Sequence, residues 1–188
     1  MIVSIKNIEE ETVKDSFMQV LNRYKQLHDK KISLIQQRVK SATMQARPVI
    51  GYNIFKEIDH YKVVLGEYVR NSKSLKVSDL PKDVLTGWFA HELGHIVDYQ
   101  SFNSLQMIQY GIKYLTSHSF KKKVEHAADY IAIDHGFHDE IIAAKNFILN
   151  HHLLDEAYKD KIRKYYMSVD DVNMCVNEKI VLKPEVDF

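Results

Sequence analysis

The apolar run Val84-Leu85-Thr86-Gly87-Trp88-Phe89-Ala90 leads directly into His91-Glu92-Leu93-Gly94-His95. The run marks a buried helix, and burying unpartnered polar groups costs roughly 1–3 kcal/mol each. Two imidazoles and a carboxylate on such a helix are tolerable only if something binds them. Residues four apart sit on one helix face, a turn apart, so His91 and His95 can offer ring nitrogens to one metal ion. Glu92 is offset but close enough to reach a water on that ion. Two histidines with a neighbouring carboxylate base form the arrangement that activates water on zinc. Gly94 removes a side chain where another segment must pack close.

A catalytic zinc takes three protein ligands and keeps a fourth position open. No His-x-x-Gly-x-x-His continuation follows His95; the chain reads Val97-Asp98-Tyr99-Gln100 instead, which excludes the metzincin arrangement. The segment Glu125-His126-Ala127-Ala128-Asp129 offers two carboxylates at i,i+4 spacing, again on one helix face. One of them, Glu125, is the candidate third ligand. The other, Asp129, is placed to hold a ligating imidazole by its far nitrogen, which fixes the tautomer. Ala127 and Ala128 keep this helix slim enough to pack against the first. His126 is an alternative ligand that points elsewhere on the helix. Asp98 is either a support for the ligands or a solvent-facing carboxylate. Trp88 and Tyr99 read as core.

The remaining pattern predicts an α+β domain. Val13, Phe17, Val20, Leu21 and Tyr24 recur at helical spacing between Glu9 and His28, an N-terminal amphipathic helix within residues 1–30. Residues 31–70 carry three β-rich runs, at 32–39, 49–55 and 61–69, and predict a small antiparallel sheet. Pro81 suits a first helical turn, and from there to residue 176 the chain reads as a bundle of helices: 82–100, 103–116, 120–135, 138–150 and 155–166. Ser168 is the expected cap of a short last helix, with Asp170 and Asp171 in its first turn. Residues 177–188 read as an extended tail.

Length and charge bound the rest. A chain of 188 residues suits one domain with a sizeable core, and a net charge of +1 leaves no electrostatic footprint for nucleic acid. Lys121-Lys122-Lys123 reads as a solvated helix end. The single cysteine, Cys175, excludes an internal disulfide and a cysteine-based zinc knuckle. The N-terminus lacks the apolar core of a signal peptide, and no stretch reaches the ~18–20 apolar residues of a membrane helix. The expectation is a cytoplasmic protein with no membrane span.

Taken together, His91-Glu92-Leu93-Gly94-His95 and Glu125-His126-Ala127-Ala128-Asp129-Tyr130-Ile131-Ala132-Ile133 resemble the gluzincin metallopeptidases. The likeness is greatest to the CAAX-prenyl-protease/HtpX group and the compact minigluzincins, and it covers roughly residues 31 to 136. It implies a zincin-like peptidase holding one Zn2+ and acting on a peptide or protein substrate. It implies that His91, His95 and Glu125 are the zinc ligands, Glu92 the general base and Asp129 the support for His91. In that family a strand ahead of the metal helix pairs with the substrate main chain. Tyr61 to Val69 is the expected edge here, with Val63, Leu65 and Glu67 along it. The family also places an oxyanion donor on a downstream segment. Tyr165, Tyr166, His135, His138, His151 and His152 are candidates, and Tyr166 is favoured because it ends a predicted helix just before a turn.

Two narrower expectations follow from related resemblances. Minigluzincins keep themselves inactive with a terminal segment in the cleft, so residues 178–188 here could add to the edge strand. Compact proteins with this metal motif also resemble the ImmA/IrrE regulatory proteases, which cut one partner protein. A zinc-binding interaction module without turnover is the reading from outside enzymology, and an intact Glu92 argues against it.

Overall fold

The computed structural model describes residues 2–39, 42–53, 55–72 and 74–182. The first element is a strand, β1 (Ile2–Lys6), followed by helix α1 (Glu11–Arg23) and strand β2 (Lys31–Gln36). The two strands pair in parallel, a geometry that requires a crossover, and α1 is that crossover. Strand β3 (Met44–Pro48) and strand β4 (His60–Leu65) complete a sheet of order β1-β2-β4-β3. β4 runs parallel to β2 and antiparallel to β3. The sheet is therefore mixed, not antiparallel as its composition suggests.

Two strand expectations shift along the chain. The β-rich run at 49–55 is not a strand over its described residues, and Ile50, Tyr52 and Phe55 are exposed. The strand lies just before it, at Met44–Pro48, where Pro48 suits an edge position because it donates no hydrogen bond to a neighbour.

Six helices follow: α2 (Lys82–Tyr99), α3 (Ser104–Thr116), α4 (His118–Asp134), α5 (His138–Asn150), α6 (Glu156–Tyr165) and α7 (Val169–Leu182). Helix α2 is the hub. Leu85, Phe89, Leu93 and Ile96 on it are buried, in one core with Phe17, Leu21 and Tyr24 of α1 and with Ile32, Leu34, Val63 and Leu65 of the sheet. α4 and α5 flank α2 on its other side. Ser168 and Asp171 exchange side-chain-to-backbone hydrogen bonds of 3.1 and 2.8 Å at the start of α7, a reciprocal cap. That cap starts a helix longer than expected. Residues 177–182 continue it and are not an extended tail, because a capped helix packed on α4 and α5 overrides the β preference of Ile180 and Val181. The rest of the expected tail, 183–188, lies outside the described residues. Among the described residues no helix is long and apolar enough to cross a membrane.

Candidate metal centre

Helices α2 and α4 meet at Gly94 and Ala128. A Cβ built on Gly94 would lie 2.6 Å from the Ala128 carbonyl oxygen, closer than any real contact. Gly87 plays the same part towards α5, where a Cβ would stand 2.1 Å from the Glu140 oxygen. The two glycines let backbone approach backbone, so that side chains one turn away face each other at bonding distance. Gly94→Ala is expected to push the helices apart and lower stability by roughly 1–3 kcal/mol. It should also weaken metal binding; a denaturation midpoint and a metal titration read both effects.

At this crossing His91 Nε2 lies 3.1 Å from Glu125 Oε2, and His95 Nε2 lies 3.4 Å from the same oxygen. The ligand atoms of His91, His95 and Glu125 all fall within 4.8 Å of one another. Ligands ~2.0–2.1 Å from a tetrahedral ion stand about 3.3 Å apart, so a metal fits between these three with little movement. A buried His-His-Glu group that can hold a metal ion is thus in place. Glu125 is 1% exposed, so its charge needs partners beside it, and the two imidazoles supply them on the Oε2 side.

The far side of His91 is equally determined. Its Nδ1 is 2.8 Å from Asp129 Oδ1, and Asp129 Oδ2 accepts from the Lys145 ammonium at 2.7 Å and from the Met167 backbone N–H at 3.1 Å. Three hydrogen bonds from three separate segments thus hold the carboxylate. Lys145 was not anticipated, although it carried a signal: it stands on the apolar face made by Ile141, Ala144 and Ile148, and a lysine there needs a carboxylate. Tyr114 of α3 was also missed. Its hydroxyl donates to Glu125 Oε1, leaving Oε2 to face the histidines. No local pattern marks it.

Glu92 projects towards the sheet, where its Oε2 accepts from the Ala46 backbone N–H at 2.5 Å. That contact corrects the expected substrate edge. β4 is flanked by β2 and β3, so the backbone groups of Val63 and Leu65 are engaged in the ladder, and both side chains are buried. Glu67 lies beyond β4 and accepts from Val77 N–H at 2.9 Å. The edge strand beside α2 is β3. Pairing between distant strands decides which strand ends up outermost, and proximity in sequence does not.

Tyr166 lies against the site: its ring centroid is 5.2 Å from that of His91, with the Lys145 ammonium 5.4 Å from the same ring. Burial, then the charge of Glu125, pushes its phenol pKa well above the ordinary value, so it stays a neutral donor. The other donor candidates are engaged elsewhere. Tyr165 bonds His118 at 2.6 Å, His135 stacks on Tyr24, His138 stands 3.2 Å from Asp139, and His151 stacks on His152. His126 is outside the ligand cluster, its Nε2 buried without a hydrogen-bond partner. Asp98 accepts from Tyr110 at 2.7 Å and not from a ligand. Lys121 is more than a solvated helix end, since its ammonium sits 5.0 Å from the ring of Tyr114 and 4.7 Å from that of Tyr165.

The electrostatics couple metal to proton. Burial disfavours the His91 imidazolium, but the hydrogen bond and charge of Asp129, and then those of Glu125, outweigh it and push the pKa from 6.5 up to about 10. Burial acts to raise Glu125, yet its bonds to His91 and His95 hold it well below the usual carboxylate range. Asp129 is lowered against its own burial by Lys145 and His91. In the metal-free protein the His91 contribution to stability is therefore fully present below pH 6.5 and lost as the pH rises through about 10. Those of Glu125 and Asp129 are present above pH ~4 and lost as the pH falls. A metal must displace the His91 proton. Its affinity is expected to rise about tenfold per pH unit below pH ~10, with release of a proton that calorimetry in two buffers of different ionisation heat can count. Uptake at pH 7 without proton release would show that His91 is already neutral. Searches among family models, curated proteins and solved structures found no match for the chain.

Proposed function

We propose that the chain is a zinc-dependent peptidase of gluzincin type. One observation carries the reading: His91 Nε2 and His95 Nε2 converge on a single Glu125 oxygen while Glu92, beside them, touches the backbone of the edge strand. Zinc is the favoured metal because two imidazoles and one carboxylate form the open three-ligand set of hydrolytic zinc sites. Held there, zinc supplies a lowered water pKa of ~7 and a Lewis acid for a carbonyl.

The chain's own residues do the rest. Glu92 takes the proton of the attacking water and delivers it to the leaving amine. Strand β3 has no strand on its outer side among the described residues, so an extended peptide that pairs there, taking over the Ala46 N–H from Glu92, aligns the scissile bond with Glu92. Asp129 keeps the His91 proton on Nδ1, so that Nε2 presents its lone pair to the metal. Lys145 balances the Asp129 charge. Tyr166 donates to the oxygen that becomes negative as the carbonyl is attacked.

The test begins with metal analysis of protein purified without added metal or chelator, expected to give one zinc per chain. Unstructured peptides are then offered with and without a chelator. Cleavage that stops on chelation and returns with zinc supports the proposal. Stoichiometric absence of metal, or cleavage indifferent to the chelator, defeats it.

A further inference from the structure

A cavity of about 80 Å³ opens beside His91 and Glu92. That is several times the ~10–15 Å³ needed for one water, and it suits a side chain or a chain end. Trp88, Ile141, Ala144, Ile148 and Ile162 give it apolar walls. Three cations also line it: Arg70, Lys145 and Lys161. Lys145 is paired with Asp129 at 2.7 Å. The other cations near it on α6 are paired as well, Lys159 with Glu156 at 3.0 Å and Arg163 with Asp160 at 2.7 Å.

Arg70 and Lys161 differ from all of these. Among the described residues neither has a carboxylate partner. The Arg70 guanidinium lies over the Tyr158 ring, 5.7 Å from its centroid, and its Nε is buried with no hydrogen bond. Burial, and then repulsion from Arg70 and Lys121, lowers the Lys161 pKa against a weaker opposing pull from Glu125 and Glu92. Two cations lining one cavity and partly out of water cost stability unless a ligand supplies further negative charge, because the carboxylates on the same wall are already engaged, Glu92 by the Ala46 N–H and Asp129 by Lys145 and His91. The ordinary anions of a peptide are carboxylates, and a guanidinium fork matches a carboxylate in shape.

We infer that this cavity is an acid-recognition pocket, in which Arg70 and Lys161 bind a carboxylate of the substrate next to the bond that is cut. The inference rests on the peptidase reading and names its substrate class. The carboxylate has two sources, a free C-terminus or an Asp or Glu side chain. The first makes the protein trim chain ends; the second makes it cut at a fixed distance from an acidic residue.

Three synthetic peptide pools, alike in length and in their neutral residues, separate these cases. One ends in a free carboxylate, one in a carboxamide, and one in a carboxamide but carries an internal Glu. The zinc-loaded protein is expected to cleave either the first or the third about 10- to 100-fold faster than the second, and mass spectrometry of the products locates the cut. Binding of the same pools to zinc-loaded Glu92→Gln protein, read by fluorescence anisotropy, should show the same preference. This arm does not need turnover, so it stands even if the peptidase reading fails. Arg70→Gln and Lys161→Gln should each bring the preference towards unity at unchanged zinc content, and Lys161→Arg should keep it. Equal binding of all three pools, or a preference that survives both Gln variants, overturns the inference.

Discussion

Replacing Glu92 with Gln is expected to abolish measurable turnover while leaving the metal bound. The amide keeps the size of the carboxylate but cannot accept a proton, and general-base assistance of this kind is worth about 10²- to 10⁴-fold. Glu92 is not among the three converging ligands, so zinc content should not change. The amide oxygen can still accept from the Ala46 N–H that the carboxylate engages at 2.5 Å, so the helix-to-sheet geometry should persist too. The decisive comparison is kcat/KM against zinc stoichiometry in the same preparation. A variant that loses both points to a structural role. One that keeps zinc and full activity removes Glu92 from the mechanism, and with it the hydrolase reading.

Lys145→Met should be among the most destabilising single changes away from the metal ligands. It removes the ammonium 2.7 Å from Asp129 Oδ2 and leaves that carboxylate, 1% exposed, with only the His91 ring and the Met167 N–H. Breaking a buried ion pair from one side costs about 3–5 kcal/mol, because the remaining charge is stranded. Since Asp129 also holds His91, metal affinity should fall by about 10- to 100-fold. Chemical denaturation of the metal-free protein reads the first effect, and competition with a chromophoric chelator reads the second. Adding Asp129→Asn to Lys145→Met should recover part of the stability, since no uncompensated charge is then left, but should not restore metal affinity. A loss of stability below about 1 kcal/mol for Lys145→Met would show that water reaches Asp129 and that the pair is not sealed.

Parts of the centre were legible because they depend on helix periodicity alone. His91 and His95, and Glu125 and Asp129, are each four residues apart, and each pair lies on one face of its helix. Gly94 marked the close approach that joins the two helices, and Ser168 with Asp171 marked the start of α7. Other signals were present but pointed the wrong way. Ile180-Val181-Leu182 favours a strand by composition, yet it continues a helix already capped and packed. Val49 to Phe55 also favours a strand, yet its exposed residues lie beyond β3. Strand β3 itself, Met44-Gln45-Ala46-Arg47-Pro48, has little β character and forms because β4 offers it a partner.

What the amino-acid order determined alone is thus the local part: which side chains share a helix face, where helices start, and that two histidines able to share a metal ion sit on a buried helix. Only the tertiary structure decided that β3 and not β4 lies outermost beside Glu92. It alone brought Tyr114 and Lys145 to the carboxylates, and set Arg70 and Lys161 around one cavity without an ion-pair partner of their own among the described residues. The division has a physical origin. Helical neighbours are fixed by 1.5 Å of rise per residue. Strand order and the meeting of side chains from separate helices depend instead on how whole elements pack, and no short window of sequence contains that.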